Sequence, residues 1–132
     1  MTKQFTLGKQ ERLKSRKAIE LLFQAGKRFS VGCIRVFYLS QPAPGLVAGV
    51  GVSSKIFKKA ADRNRVKRLT REIYRMQNLP LHSKLIATGK GFHVFFIYTS
   101  RELPVYSELF ETMTVILNQL DKYSDENTAA NT

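Results

Sequence analysis

The chain has 132 residues, with 22 Lys+Arg against 10 Asp+Glu, and a formal net charge of +12 at pH 7. Hydrophobic residues make up 43%, too many for a disordered chain and enough, at this length, for one domain around one core. A single cysteine, Cys33, excludes a disulfide framework and a cysteine-based zinc site, and the charge excess argues for a polyanionic partner.

Residues 1–28 hold eight basic and two acidic residues. Within them, 14–25 place Ile19, Leu22 and Phe23 at helical spacing, with Ser15 as N-cap and Gly26 as C-cap. A short strand is an option near Phe29. Residues 33–40 alternate, with Cys33, Arg35, Phe37 and Leu39 on one face and Ile34, Val36 and Tyr38 on the other. After a turn at Pro42 and Pro44-Gly45, residues 46–53 read as a buried strand. Gly49 and Gly51 within it signal a bulge or a close backbone approach. The two strands together predict a β-hairpin.

Residues 55–75 hold nine basic and two acidic residues. A helix is predicted over 62–78, with Asp62 as N-cap and Val66, Leu69, Ile73 and Met76 on one stripe. Arg63, Asn64, Lys67, Arg68, Arg71 and Arg75 fall on the opposite side. Pro80 ends this helix, and 81–91 read as a loop. Residues 92–99 are apolar on both sides, which predicts a central strand. A last helix over 105–122 puts Leu109, Met113, Ile116, Leu117 and Leu120 on one stripe, and the apolar-free 124–132 predict a disordered tail. The domain is therefore expected to span 1–123. The order α-β-β-α-β-α implies an α+β sheet with helices packed on it.

Groups for catalysis are scarce. His82 and His93 have no carboxylate or histidine at ligand spacing, Glu11 and Glu20 are isolated, and Asp62 and Glu72 are too far apart on one helix to share a metal. No catalytic or metal-binding residue is assigned, and Cys33 reads as a small buried hydrophobe. Gly49-Val50-Gly51 lacks the rest of a dinucleotide or phosphate-loop motif.

Binding chemistry is better represented. Five of the six cations on the 62–78 helix are Arg, whose planar fork suits bidentate phosphate contacts; Lys55, Lys58 and Lys59 extend the patch upstream. Ile19, Phe23, Arg35 and Phe37 are candidates for a groove in which unpaired bases stack. On the residues alone, Phe23 and Phe37 read more readily as ordinary core residues. Arg35 is costly to bury unpaired, which marks its face as wet or anion-paired. A ribozyme cofactor, a general double-stranded nucleic-acid binder and a lone metal-dependent nuclease are the functional alternatives. The longest mainly apolar run, Phe92 to Tyr98, is too short for a membrane span, and no apolar signal-peptide core accompanies Lys3, Lys9 and Arg12. A soluble cytoplasmic protein is expected.

The run Arg63-Asn64-Arg65-Val66-Lys67-Arg68-Leu69-Thr70-Arg71-Glu72 resembles the arginine-rich signature of the protein subunit of bacterial ribonuclease P. Agreement extends through Gly51-Val52-Ser53-Ser54-Lys55, Lys58-Lys59-Ala60, and Arg12-Leu13-Lys14 with Phe23 and Gly26. The resemblance implies a two-layer α/β sandwich of about four strands, with ribosomal-protein-like topology and a left-handed crossover. It implies a holoenzyme that cleaves precursor tRNA endonucleolytically at the 5′ end, with catalytic Mg²⁺ on the RNA subunit and no cofactor bound by the protein alone. The protein would contact the ribonuclease P RNA and hold the single-stranded 5′ leader, with no membrane and no further protein partner required. Carried over, Arg63, Asn64, Arg65, Lys67, Arg68 and Arg71 match the RNA-binding motif. Phe23 and Phe37 match aromatic leader-cleft positions, and Lys55 a basic loop position beside them. Ile19 stands where the family often has Phe, and Ser54 where a second Lys is common.

Overall fold

The structure is a computed structural model describing residues 12–130; Lys3, Lys9 and Glu11 lie outside the described residues. In chain order the elements are α1 (Arg16–Ala25), β1 (Lys27–Val31), β2 (Ile34–Gln41), β3 (Gly45–Val52), α2 (Ala60–Gln77), α3 (Leu79–Thr88), β4 (Gly91–Tyr98) and α4 (Tyr106–Ala130). The strands form one mixed sheet in the order β1-β2-β4-β3.

The expected hairpin of β2 and β3 does not form. β4 lies between them, antiparallel to β2 and parallel to β3. The reason is in β4 itself: Phe92, Val94, Phe96 and Tyr98 are buried on one face, while Phe95 and Ile97 pack on the other. A strand apolar on both faces gains most from a central position, where each face is covered. Both Gln41 and Gly45 register with Gly91, so the β2–β3 loop crosses over the start of β4. A Cβ at Gly91 would collide with Ala43 O, so only glycine fits under that crossing. The hairpin that does form joins β1 to β2 through a two-residue turn, with Gly32 at φ 54°.

The main core lies between one sheet face and α2, α3 and α4. It includes Ile34, Val36 and Tyr38 of β2, Val66, Ile73 and Tyr74 of α2, and the predicted α4 stripe Leu109, Met113, Ile116, Leu117 and Leu120. On α2 the buried residues are Val66, Thr70, Ile73 and Tyr74, whereas Met76 is exposed and Leu69 half-buried. The stripe is rotated from the predicted one because Tyr74 packs its ring on Phe96, 5.3 Å between centroids. Thr70 tolerates burial because its Oγ1 donates to Val66 O at 2.8 Å. The N-cap of α2 is Lys59, without a side-chain cap bond, and Asp62 sits in the first turn. There it still complements the positive end of the helix.

Residues 81–91, expected as a loop, mostly belong to α3. Pro80 falls in its first turn, where a missing N–H costs nothing, so it starts a helix as well as ending the previous one. Leu81 and Leu85 are buried one turn apart, and Gly89 at φ 70° closes the C-terminus. The predicted tail also fails at its start, because α4 continues to Ala130 and Ser124 is buried. Lys90 Nζ donates to Ser124 O at 2.9 Å, and Lys84 Nζ meets Asp121 at 2.7 Å and Asp125 at 2.9 Å. Tyr123, stacked on Tyr38 at 5.0 Å between centroids, anchors this stretch to the core, and the two lysines tie down the polar groups around it.

Candidate nucleic-acid interface

The other sheet face is only partly covered. α1 starts at Ser15, whose Oγ accepts the Ala18 N–H, and crosses this face with Leu22 buried beneath it. Leu13, Leu22 and Phe37 form a second, smaller core, ringed by half-buried Ile19, Leu39, Val47, Phe95 and Ile97. Within β2 the alternation read from the sequence holds: Phe37 and Arg35 face this side, and Ile34, Val36 and Tyr38 the main core. Cys33, read on the Arg35 side, instead packs against the main core, because it sits in the β1–β2 turn where strand alternation does not apply.

Phe23 stands at the rim of α1, 41% exposed. Its ring lies 4.8 Å from Phe37 and 5.3 Å from Phe95, centroid to centroid. The three rings make an aromatic shelf with Phe23 outermost. Phe37 is buried, so it is the floor of the shelf and Phe23 the surface a base could meet. Phe95 was not singled out from the sequence. Gly49 and Gly51 are its signal: a Cβ at either would lie 2.8 Å from the Phe95 ring, which therefore rests flat over bare β3 backbone. The close approach read at these glycines is real, but its partner appears only once β3 is known to pair with β4. Ile19 is half-buried against the small core, and Arg35 is exposed on the same face.

Cations follow directly on β3, the strand whose bare backbone carries the Phe95 ring. Lys55, Lys58 and Lys59 are exposed on the loop between β3 and α2. Arg63 fixes that loop, its Nη1 donating to Phe57 O at 2.7 Å and Lys58 O at 2.9 Å. Part of its donor fork is therefore spent on structure, and the lysines it positions carry the exposed charge. Asn64, Arg65 and Arg68 are exposed on α2, and Lys67 and Arg71 are half-buried. Arg75 lies 3.9 Å from Glu72.

The N-terminal strap joins these two regions. Leu13 N–H donates to Ala48 O at 2.9 Å, and Arg12 bridges Ala48 in parallel, so the strap lies along the free edge of β3. Arg12, Lys14 and Arg71 line a cavity of about 100 Å³ there, beside Ala48 and Gly49. Burial, and then the neighbouring Arg12 charge, push the Arg71 guanidinium below its ordinary value. Three cations converging, with no carboxylate among the described residues that line the cavity, leave room and charge for an anion.

Little else reads as chemistry. His93 is half-buried beneath α1, and burial holds its imidazole below the ordinary value. His82 accepts the Leu46 N–H at its Nδ1, 3.0 Å away, and so caps an edge-strand donor. Cys33 is half-buried rather than buried, and desolvation raises its thiol. Among the described residues, no group of three or more His, Cys, Asp or Glu is placed to hold a metal ion, and no helix is long and apolar enough to cross a membrane.

The family model described as Ribonuclease P matches residues 7–121. The chain belongs to the ribonuclease P protein family. It is 37% identical over 112 residues to the ribonuclease P protein component of Porphyromonas gingivalis, covering 83% of this chain and 82% of that one. It is 36% identical over 92 residues to the corresponding component of Desulfovibrio desulfuricans, covering 67% and 70%. The RNase P protein of Thermotoga maritima superposes with a TM-score of 0.66 at 26% identity, covering 83% of this chain and 96% of that one. A Staphylococcus aureus RNase P protein shares the fold, with a TM-score of 0.62 at 18% identity over 83% and 94% of the two chains. The α+β fold with its four-stranded mixed sheet is thus the family's fold. The chain is a protein subunit of ribonuclease P, an endoribonuclease of tRNA 5′ processing, and its partner is the ribonuclease P RNA.

Proposed function

We propose that this subunit holds the single-stranded 5′ leader of precursor tRNA across the aromatic shelf while α2 and the N-terminal strap grip the ribonuclease P RNA. The observation that carries this reading is the exposed Phe23 ring on a Phe37–Phe95 floor, with Lys55, Lys58 and Lys59 exposed on the loop that leaves β3. Exposed aromatics beside a cationic track suit unpaired bases, which offer a π-face and a phosphate together. A duplex hides those faces, so a general double-stranded binder would have no use for the shelf. Arg65, Arg68 and Arg71 supply forks for phosphates of the folded RNA. The protein holds no catalytic group in this scheme. The catalytic Mg²⁺ belongs to the RNA subunit, and the protein raises affinity for substrate. It works without another protein partner, in the cytoplasm.

The test is precursor-tRNA cleavage by bacterial ribonuclease P RNA at low Mg²⁺, with and without the protein. The expected result is restored 5′ maturation, an affinity gain for leader-bearing substrate over leaderless tRNA, and no cleavage by the protein alone. Equal gains for both substrates would favour a general RNA binder. Cleavage without RNA would favour a lone nuclease.

A further inference from the structure

The open sheet face does not end at the aromatic shelf. In the β1–β2 register Arg28 lies opposite Phe37 and Ser30 opposite Arg35. Directly opposed residues share a face, so Arg28 and Ser30 join Arg35 and Phe37 on the side where Phe23 sits. Arg28, Ser30 and Arg35 are all exposed. Arg28 and Arg35 are diagonal neighbours, with Cβ atoms about 7 Å apart in ordinary sheet geometry. No ion pair among the described residues engages either guanidinium.

Two like charges at that spacing oppose each other unless an anion sits between them. Arg28, Arg35 and the Ser30 hydroxyl offer donors converging on one patch, with no carboxylate beside them on β1 or β2. β1 is also the free edge of the sheet opposite to β3. The cations at Lys55, Lys58 and Lys59 lie on the loop that leaves β3, and this patch lies on β1 and β2. Between them are three strand spacings, about 14 Å, floored by Phe95 and Phe37.

We propose that Arg28, Ser30 and Arg35 form a phosphate clamp at the β1 edge, so that the leader crosses the strands from β3 to β1 and is gripped beyond the aromatic shelf. This rests on the leader-binding reading above and adds to it a direction, an end point and two new contact residues, Arg28 and Ser30. The ligand chemistry is the phosphodiester backbone of single-stranded RNA; the clamp reads no base.

The test uses holoenzyme reconstituted with ribonuclease P RNA and a series of precursor tRNAs whose leaders lengthen one nucleotide at a time. Wild-type affinity should climb with length and level off once the leader reaches β1. Arg28→Gln should level off earlier and end about fivefold weaker on long leaders only, as loss of one exposed charge contact implies. Its salt slope on long leaders should be shallower by about 0.7, the value for one single-strand phosphate. Arg28→Lys should restore the slope, because it restores the charge. The Arg28 side chain is exposed, so the melting temperature serves as a folding control for both variants. If Arg28→Gln follows the wild-type length curve, the clamp is wrong and the leader reading survives. If it weakens leaderless tRNA equally, Arg28 touches some other RNA and the clamp is again wrong. If wild-type affinity ignores leader length altogether, both readings fall.

Discussion

Replacing Phe23 by alanine separates a binding surface from a core residue. The side chain is 41% exposed, so a little over half of its surface is out of water. Of the roughly 200 Å² that a phenylalanine can bury, about 120 Å² is then buried here. At ~25 cal/mol per Å² this is worth about 3 kcal/mol as an upper figure. Alanine keeps its Cβ in place, and the open rim lets Phe37 and Phe95 relax, so the expected stability loss is about 2 kcal/mol, below the ~3–5 kcal/mol of a fully buried Phe→Ala. For leader binding the expected loss is one stacked base, about 1–3 kcal/mol. Urea unfolding measures the first quantity. Holoenzyme affinity for precursor tRNA with and without its leader measures the second, under conditions where the variant is fully folded. A stability loss of about 3–5 kcal/mol with unchanged leader affinity would refute the reasoning, because it would make Phe23 a core residue of the kind described by Phe→Ala truncations.

Four further outcomes are expected. Arg68→Ala with Arg71→Ala should weaken binding to ribonuclease P RNA and flatten its salt slope by about 2, and an unchanged slope would remove that face from the interface. Gly49→Ala would set a Cβ 2.8 Å from the Phe95 ring and 3.1 Å from Leu13 O, so it should cost about 1–3 kcal/mol and weaken leader binding together; wild-type melting would contradict the packing described. Burial depresses the His93 pKa, so the unfolded chain binds more protons in the window below the ordinary value. Stability from this residue is therefore complete above about pH 6.5 and falls as pH drops, and His93→Gln should flatten the pH–stability curve in that window. Lys84→Met should cost at most about 1 kcal/mol, since both carboxylate partners are largely solvated. It should speed amide exchange around Asp121 and Ser124 while leaving RNA affinity alone; a change in RNA affinity would place α3 in the interface.

Local signals in the chain determined much of this protein. The α1 caps, the two faces of β2, the α4 stripe and the cationic character of α2 all follow from periodicity and charge within one segment. Those properties need no knowledge of neighbours, and the Arg63–Arg71 run also carried the family resemblance. Tertiary structure decided what depends on partners. β2 and β3 read as a hairpin because adjacent apolar strands usually pair, but β4 is apolar on both faces and separates them. Pro80 reads equally as a stop or a start, and burial of Leu81 and Leu85 made it a start. The polar residues after Tyr123 announce no helix, but Tyr123 stacks on Tyr38, and lysines from α3 and the α3–β4 connection hold Asp121 and Ser124 on either side of it. At the site, the sequence supplied Phe23, Phe37 and Arg35 as a candidate groove. Phe95 entered only through the parallel register that lays its ring over Gly49 and Gly51, and Arg28 only through the β1–β2 register that turns it to the same face. The sequence names side chains and their periods, whereas the face they share across strands is set by register, which the whole sheet decides.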